Sequence, residues 1–258
     1  MIVLRPRIIP SLLLHKNGLV KTLKYRKPVY VGDPINAIRI FNEKEVDELL
    51  IVDIDASKEM REPNYSLLEQ YASECFMPLG YGGGIKTVEQ ARRIFSIGVE
   101  KVVIQTAAMD SPELINHLAD IFGSQSIVVS VDVKKNIFGK HKLFRAQQLK
   151  NMSLNWQDFI TNAVKNGAGE ILFKSVDLDG TMAGPDLNLI KQCTQLVDVP
   201  VVVQGGVGSL SDIQDCLNVG AAGVAAGAFF VFKGPYRAVL INYPAPNDLD
   251  QLKVANNV

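Results

Sequence analysis

The sequence is poor in the features that announce several large classes of protein. It has three cysteines, Cys75, Cys193 and Cys216, far apart and odd in number. Neither a disulfide framework nor a metal-ligand spacing can be drawn from them, so they read as reduced thiols of a cytoplasmic protein. Net charge is absent as well: 27 basic residues face 27 acidic ones, which gives no bulk attraction for nucleic acid or an anionic membrane, so any anion must be bound locally. No run approaches the roughly 20 apolar residues that span a bilayer. The basic, apolar N-terminus is interrupted by Pro6 and Pro10 and shows no small-residue cleavage site, which reads as a first strand and not a signal peptide. No cofactor motif is present. What the chain does have is apolar material, 47% hydrophobic and 21% charged over 258 residues. That is enough for one sizeable core, at a length that suits a single α/β barrel or open sheet.

Short apolar, β-branched runs recur at Arg7–Leu12, Glu48–Ile54, Phe76–Tyr81, Lys101–Thr106, Ser126–Val131, Glu170–Lys174, Val199–Gln204 and Gly223–Gly227. Between them lie stretches of helical spacing, such as those from Thr87 and from Leu210, which end near Gly98 and Gly220. Strands apolar on both faces that alternate with helices predict a parallel sheet under helices, and eight units predict a closed (β/α)8 TIM barrel. The sequence also repeats itself. Gly83-Gly84 and the residues up to Gly98 match Gly205-Gly206 and the residues up to Gly220 at a separation of 122, which also relates Glu48 to Glu170 and Asp55 to Asp177. One separation held over so many positions predicts two half-barrels, about 1–122 and 123–245, within one domain over 1–258. The segment from Asn136 to Ser153, with Lys134, Lys135, Lys140 and Lys142 around it, reads as a long basic loop, either functional or merely solvated. From Tyr243 onward a loose tail is expected.

Glycines just past strand ends let backbone N–H groups approach a phosphate, and the following helix N-terminus adds its positive dipole end. Gly84 with Thr106 forms one such place. Gly206 with Gly227 and Ala228, joined by Asp179 and Gly180, forms another. Two repeat-related anion sites across one mouth predict an elongated, phosphorylated small-molecule ligand.

The chain resembles the cyclase (HisF-type) subunit of imidazole glycerol phosphate synthase over nearly its whole length. The resemblance is carried by Arg7-Ile-Ile-Pro10, Tyr81-Gly-Gly-Gly-Ile85, Thr106-Ala-Ala108, Val128-Val-Ser-Val-Asp132, Asp177-Leu-Asp-Gly-Thr181 and Gln204-Gly-Gly-Val-Gly-Ser-Leu210. It implies a partner glutaminase (HisH-type) subunit. Ammonia released there would cross the barrel axis to a mouth where two aspartates cleave and cyclise a bisphosphorylated ribulosyl intermediate. Carried onto this chain, one aspartate is Asp132 and the other falls on Leu13, its partner position in the internal repeat. Leucine cannot move a proton, whereas a placed acid or base is worth roughly 10²–10⁴ in rate. His15 reads as a surface residue or as a substitute for that group. Lys21 keeps the family's lysine, while Gln105, Lys174 and Gln204 depart from an asparagine, a small hydroxyl and a serine. Lys174 reads either as an anion ligand or perturbed amine, or as a strand-end lysine reaching water.

At the opposite end the resemblance implies an ammonia gate of Arg7, Glu48, Lys101 and Glu170, which reads equally as a stabilising base of the barrel. Glu100 matches an acidic contact to the glutaminase. Together these features resemble the paralogous branch linked to acetamidino sugar modification in surface polysaccharide biosynthesis, in which a separate amidotransferase enzyme uses the ammonia. The alternatives are an authentic cyclase of histidine biosynthesis, and an inactive scaffold that activates the glutaminase.

Overall fold

The structure is a computed structural model that describes residues 6–252. The N-terminal residues ahead of Pro6, read as leading into the first strand, and the last six of the expected tail lie outside it. Eight parallel strands form the centre: β1 (Arg7–His15), β2 (Leu49–Asp53), β3 (Leu79–Gly82), β4 (Lys101–Ile104), β5 (Ile127–Lys135), β6 (Glu170–Ser175), β7 (Val201–Gln204) and β8 (Gly223–Ala226). Each pairs with the next, and β8 returns to β1 with Arg7 opposite Gly223 and Pro10 opposite Ala226, so the sheet closes. The fold is the expected (β/α)8 barrel. Every predicted strand exists, with shifted bounds. β3 starts at Leu79 because Phe76 is 86% exposed, and β7 starts after Pro200, which has no N–H to give.

Outward residues such as Ile8, Ile51 and Val129 join the layer between sheet and helices, while Ile9, Leu50, Val103, Val128, Leu172, Val202 and Ala225 fill the interior as a separate cluster. The covering helices are capped where they leave the sheet. Asp33, Asn64, Thr87, Asn155, Asp186 and Ser209 each accept a backbone N–H of the first turn, which sets those N-termini around the C-terminal end of the strands. The separation of 122 relates local geometry as well as letters. Gly83 and Gly205 have φ of +121° and +118°, and a Cβ there would lie 2.5 Å from the Asp53 carbonyl and 2.7 Å from the Ser175 carbonyl.

Two expectations are corrected. The segment Asn136–Ser153 is not a loop: β5 runs on to Lys135, pairs antiparallel with His141–Arg145, and that strand pairs with Lys150–Asn151. The stretch from Tyr243 to Leu252 is not loose, because Tyr243, Leu249 and Leu252 are buried. The Tyr243 ring stacks on Phe230 at 5.4 Å, and its hydroxyl donates to the Ile8 carbonyl at 2.8 Å. The first hairpin in the chain, Gly18–Leu23 with Arg26–Gly32, follows β1 and was not expected; the one after β5 is the second. Among the described residues no helix is long and apolar enough to cross a membrane, and no group of three or more His, Cys, Asp or Glu could hold a metal ion.

Candidate functional site: a charged ring below an open mouth

Arg7, Glu48, Lys101 and Glu170 open or lie beside the N-terminal ends of β1, β2, β4 and β6, and inward-facing alternation brings them together at the lower end of the axis. Arg7 donates to Glu48 at 2.9 Å and to Glu170 at 2.6 Å, and Lys101 donates to Glu48 at 2.9 Å and to Glu170 at 3.3 Å. The signs alternate and each charge has two opposite neighbours, which offsets the desolvation of carboxylates only 6% and 7% exposed. Burial alone would lower the Arg7 pKa, but Glu170 and then Glu48 outweigh it and raise it. Glu100 is exposed beside this ring.

Above the ring, a narrow cavity runs between those charges and the interior cluster, with Gly80 leaving room on one side. Glu48, Lys101 and Glu170 form its floor and hydrocarbon its remaining walls, so a small neutral molecule fits there and a hydrated ion does not without losing its shell. Higher still the interior turns polar. The Ser130 hydroxyl donates to Asp132 at 3.1 Å and Gln204 donates to the Ser11 hydroxyl at 3.3 Å.

The mouth is a cleft with about 900 Å³ of open space, part of it continuous with solvent. Leu13, Asp132, Thr106, Lys174 and Asp179 all line it, together with Gln105 and Gln204. Lys174 is half-buried there, paired in register with Asp132 across β6 and β5. On one arm of the mouth Lys21, Asp179, Gly180, Gly206, Gly227 and Ala228 line one recess. Asp179 organises it, accepting from Lys21 Nζ at 2.6 Å and from the Thr22 hydroxyl at 2.7 Å. The other arm differs. Gly83, and not Gly84, reaches the mouth, since the Gly84 N–H is directed to Ser57 Oγ at 3.3 Å. His15 is ion-paired with Asp55 at 2.9 Å and does not line the mouth. Burial would raise the Asp55 carboxyl, but His15 and the Lys16 N–H together hold it below the usual value.

The sequence reading missed Tyr25, which also lines the mouth. Its hydroxyl is buried without a hydrogen-bond partner. Burial, then the Asp132 and Asp179 carboxylates, push the phenol well above its ordinary value. Gln105 Nε2 and Gln204 Oε1 are likewise buried and unpartnered. Burial of Cys193 and Cys216 pushes both thiols up to about 12, which makes them inert.

Residues 7–236 match the histidine biosynthesis protein family. The chain is 48% identical over 251 residues to a protein of Leptospira interrogans provisionally named imidazole glycerol phosphate synthase subunit HisF, covering 96% of this chain and 99% of the relative. It is 52% identical over 250 residues to a protein of Pseudomonas aeruginosa provisionally named imidazole glycerol phosphate synthase subunit hisF2, with 95% and 98% covered. It is 36% identical over 228 residues to the imidazole glycerol phosphate synthase subunit HisF of Streptococcus sanguinis, with 88% and 90% covered.

Proposed function

The chain belongs to the histidine biosynthesis protein family, among its HisF-type members, and from that premise we propose that it is the synthase-type subunit of a glutamine-dependent, two-subunit complex. A glutaminase partner docks on the ring face, with Glu100 in the contact. Its ammonia passes Arg7, Glu48, Lys101 and Glu170, follows the apolar axis and emerges at the mouth. There it meets a phosphorylated small molecule held by backbone N–H groups of the recess around Gly206 and Gly227, with Lys174 adding a positive charge. The observation that carries the reading is the contrast along one axis: a fully paired charge ring leads through hydrocarbon to a mouth whose buried carboxylates Asp53 and Asp179 are held by cations, where Asp132 has the Ser130 hydroxyl as its donor and Leu13 stands where a second acid would be needed.

That contrast favours an acceptor other than the histidine precursor, in the branch that forms amidino sugars with a separate amidotransferase. Retention of Asp132 and Lys21 within the mouth favours the second reading, an authentic cyclase of histidine biosynthesis. Complementation of a histidine auxotroph lacking its own cyclase subunit separates them: growth supports the cyclase, and failure of a well-expressed chain supports the branch. Co-purification with a glutaminase subunit whose glutamine hydrolysis rises when inorganic phosphate or a sugar phosphate is added tests the complex itself. A glutaminase that binds but does not respond would make the barrel a scaffold.

A further inference from the structure

Two of the three carboxylates that line the mouth are already committed to cations. Asp53 is held by Arg61 at 2.8 Å and by the N–H groups of Asp55 and Ala56. Asp179 is held by Lys21, by Thr22 and by the Tyr25 N–H. Asp132 is different, 2% exposed with the Ser130 hydroxyl as its donor. Beside it lies the buried Tyr25 hydroxyl, which faces the Asp132 carboxylate without closing to hydrogen-bond distance. A buried polar atom left unpaired costs free energy and is uncommon outside functional sites.

The backbone is strained to put Tyr25 there. Lys24 and Tyr25 form the turn of the first hairpin with φ of +52° and +62°, a conformation that glycine or asparagine usually supplies. Asp179 fixes the turn, its carbonyl accepting from the Lys24 N–H at 3.0 Å and its carboxylate from the Tyr25 N–H at 3.3 Å. The Phe144 ring meets the tyrosine edge-on at 6.1 Å.

We propose that Tyr25 is the proton donor of the mouth, paired with Asp132 as acceptor, for addition of ammonia to a carbonyl carbon of the phosphorylated ligand. This rests on the reading above that ammonia and such a ligand meet at the mouth. The ammonia nitrogen bonds to the carbon, and the carbonyl π pair moves onto oxygen. That oxygen takes the Tyr25 proton, and the nitrogen releases one proton to Asp132. The product is a carbinolamine. Phenolate and carboxylic acid then stand side by side, and transfer of the proton from Asp132 to Tyr25 restores both. Burial beside Asp132 and Asp179 keeps the phenol protonated in the resting state, as a donor must be, and makes its phenolate a ready acceptor on return. Lys174, opposite Asp132 in register, is placed to hold the ligand's charge.

The test uses the full chain with ammonium chloride and the bisphosphorylated ribulosyl compound as probe. Tyr25→Phe keeps the ring and should lower kcat at least about tenfold with KM unchanged. Lys174→Met should instead raise KM. Leu13→Asp added to Tyr25→Phe should recover much of the lost kcat, since it returns an acid to the mouth; a hydroxyl with a merely structural role would not be rescued this way. With tyrosine labelled at the phenol carbon, Asp132→Asn should bring the Tyr25 titration down from its wild-type position. The proposal is overturned by a Tyr25→Phe rate within about twofold of wild type, by absence of rescue, or by a Tyr25 titration indifferent to Asp132→Asn. If the unaltered chain binds inorganic phosphate yet does not turn over the probe, the Tyr25 role falls and the anion-binding reading stands. If phosphate does not bind, that reading falls.

Discussion

The two ends of this barrel handle buried polarity in opposite ways. At the lower end four charges satisfy one another within 3.3 Å, and each cation serves both carboxylates. At the mouth the hydroxyl of Tyr25, the amide nitrogen of Gln105 and the amide oxygen of Gln204 are buried and unanswered. Completeness below is what a barrel base requires, because a lone buried charge is intolerable. Surplus above has no such explanation from stability, and it fits groups that wait for a ligand. The comparison supports the proposal that chemistry belongs to the mouth and passage to the ring.

The largest effect should come from breaking the ring. Glu48→Ala leaves Arg7 and Lys101 with Glu170 alone, and should cost about 3 kcal/mol in urea unfolding; a cost below about 1 kcal/mol would mean the four charges are not a cooperative unit. Next in size is the mouth's own deficit. With ammonia and the ribulosyl bisphosphate, turnover should be at least roughly a hundredfold below that of an ordinary cyclase, since Leu13 offers no proton and the raised Tyr25 phenol is a weaker acid than the carboxyl it would replace; an ordinary rate would remove the contrast with the ring. Smaller is Gly206→Ala. Gly206 has φ of +91°, and an added Cβ would sit 2.1 Å from the Gly184 carbonyl, so about 1–3 kcal/mol of stability should be lost. Phosphate binding should weaken with it, while the equivalent change at Gly98, where nothing lies within 4 Å, should spare binding.

The smallest effect concerns the rim. The Asp55 carboxyl lies below its ordinary 3.8 in the folded chain, so its pair with His15 contributes stability that is present above that value and lost as pH falls through the folded pKa. His15→Gln should therefore remove about 0.5 kcal/mol of stability above the Asp55 pKa and flatten the acid limb of the curve of unfolding free energy against pH.

The barrel was legible because its strands are apolar on both faces and its glycine turns recur at one separation, both of which periodicity reveals. The recess around Gly206 was legible through glycines at strand ends, and the charged ring only through the family resemblance. The first hairpin was not. Its turn is Lys24-Tyr25, two residues at positive φ with neither asparagine nor glycine to signal it, and it is held by contacts to Asp179, 154 residues away from Tyr25. Tyr25 was invisible for the same reason. The second hairpin was hidden by its lysines, whose outward charge reads as a loop although Leu143 and Phe144 between them are buried. The docking of Tyr243 depends on Phe230 and Ile8, partners that local sequence does not bring together.

The central claim is that ammonia enters through the ring and is used at the mouth. It is tested by comparing glutamine-driven with ammonia-driven product formation in the complex of this chain with its glutaminase, for wild type and for Glu48→Gln, which keeps the side chain's size and removes its charge. Passage through the ring predicts that the glutamine-driven rate falls several-fold relative to glutamine hydrolysis, while added ammonia supports the wild-type rate. If the two rates fall together, or if coupling is unchanged, the ring is only the foundation of the barrel and ammonia reaches the mouth by another route.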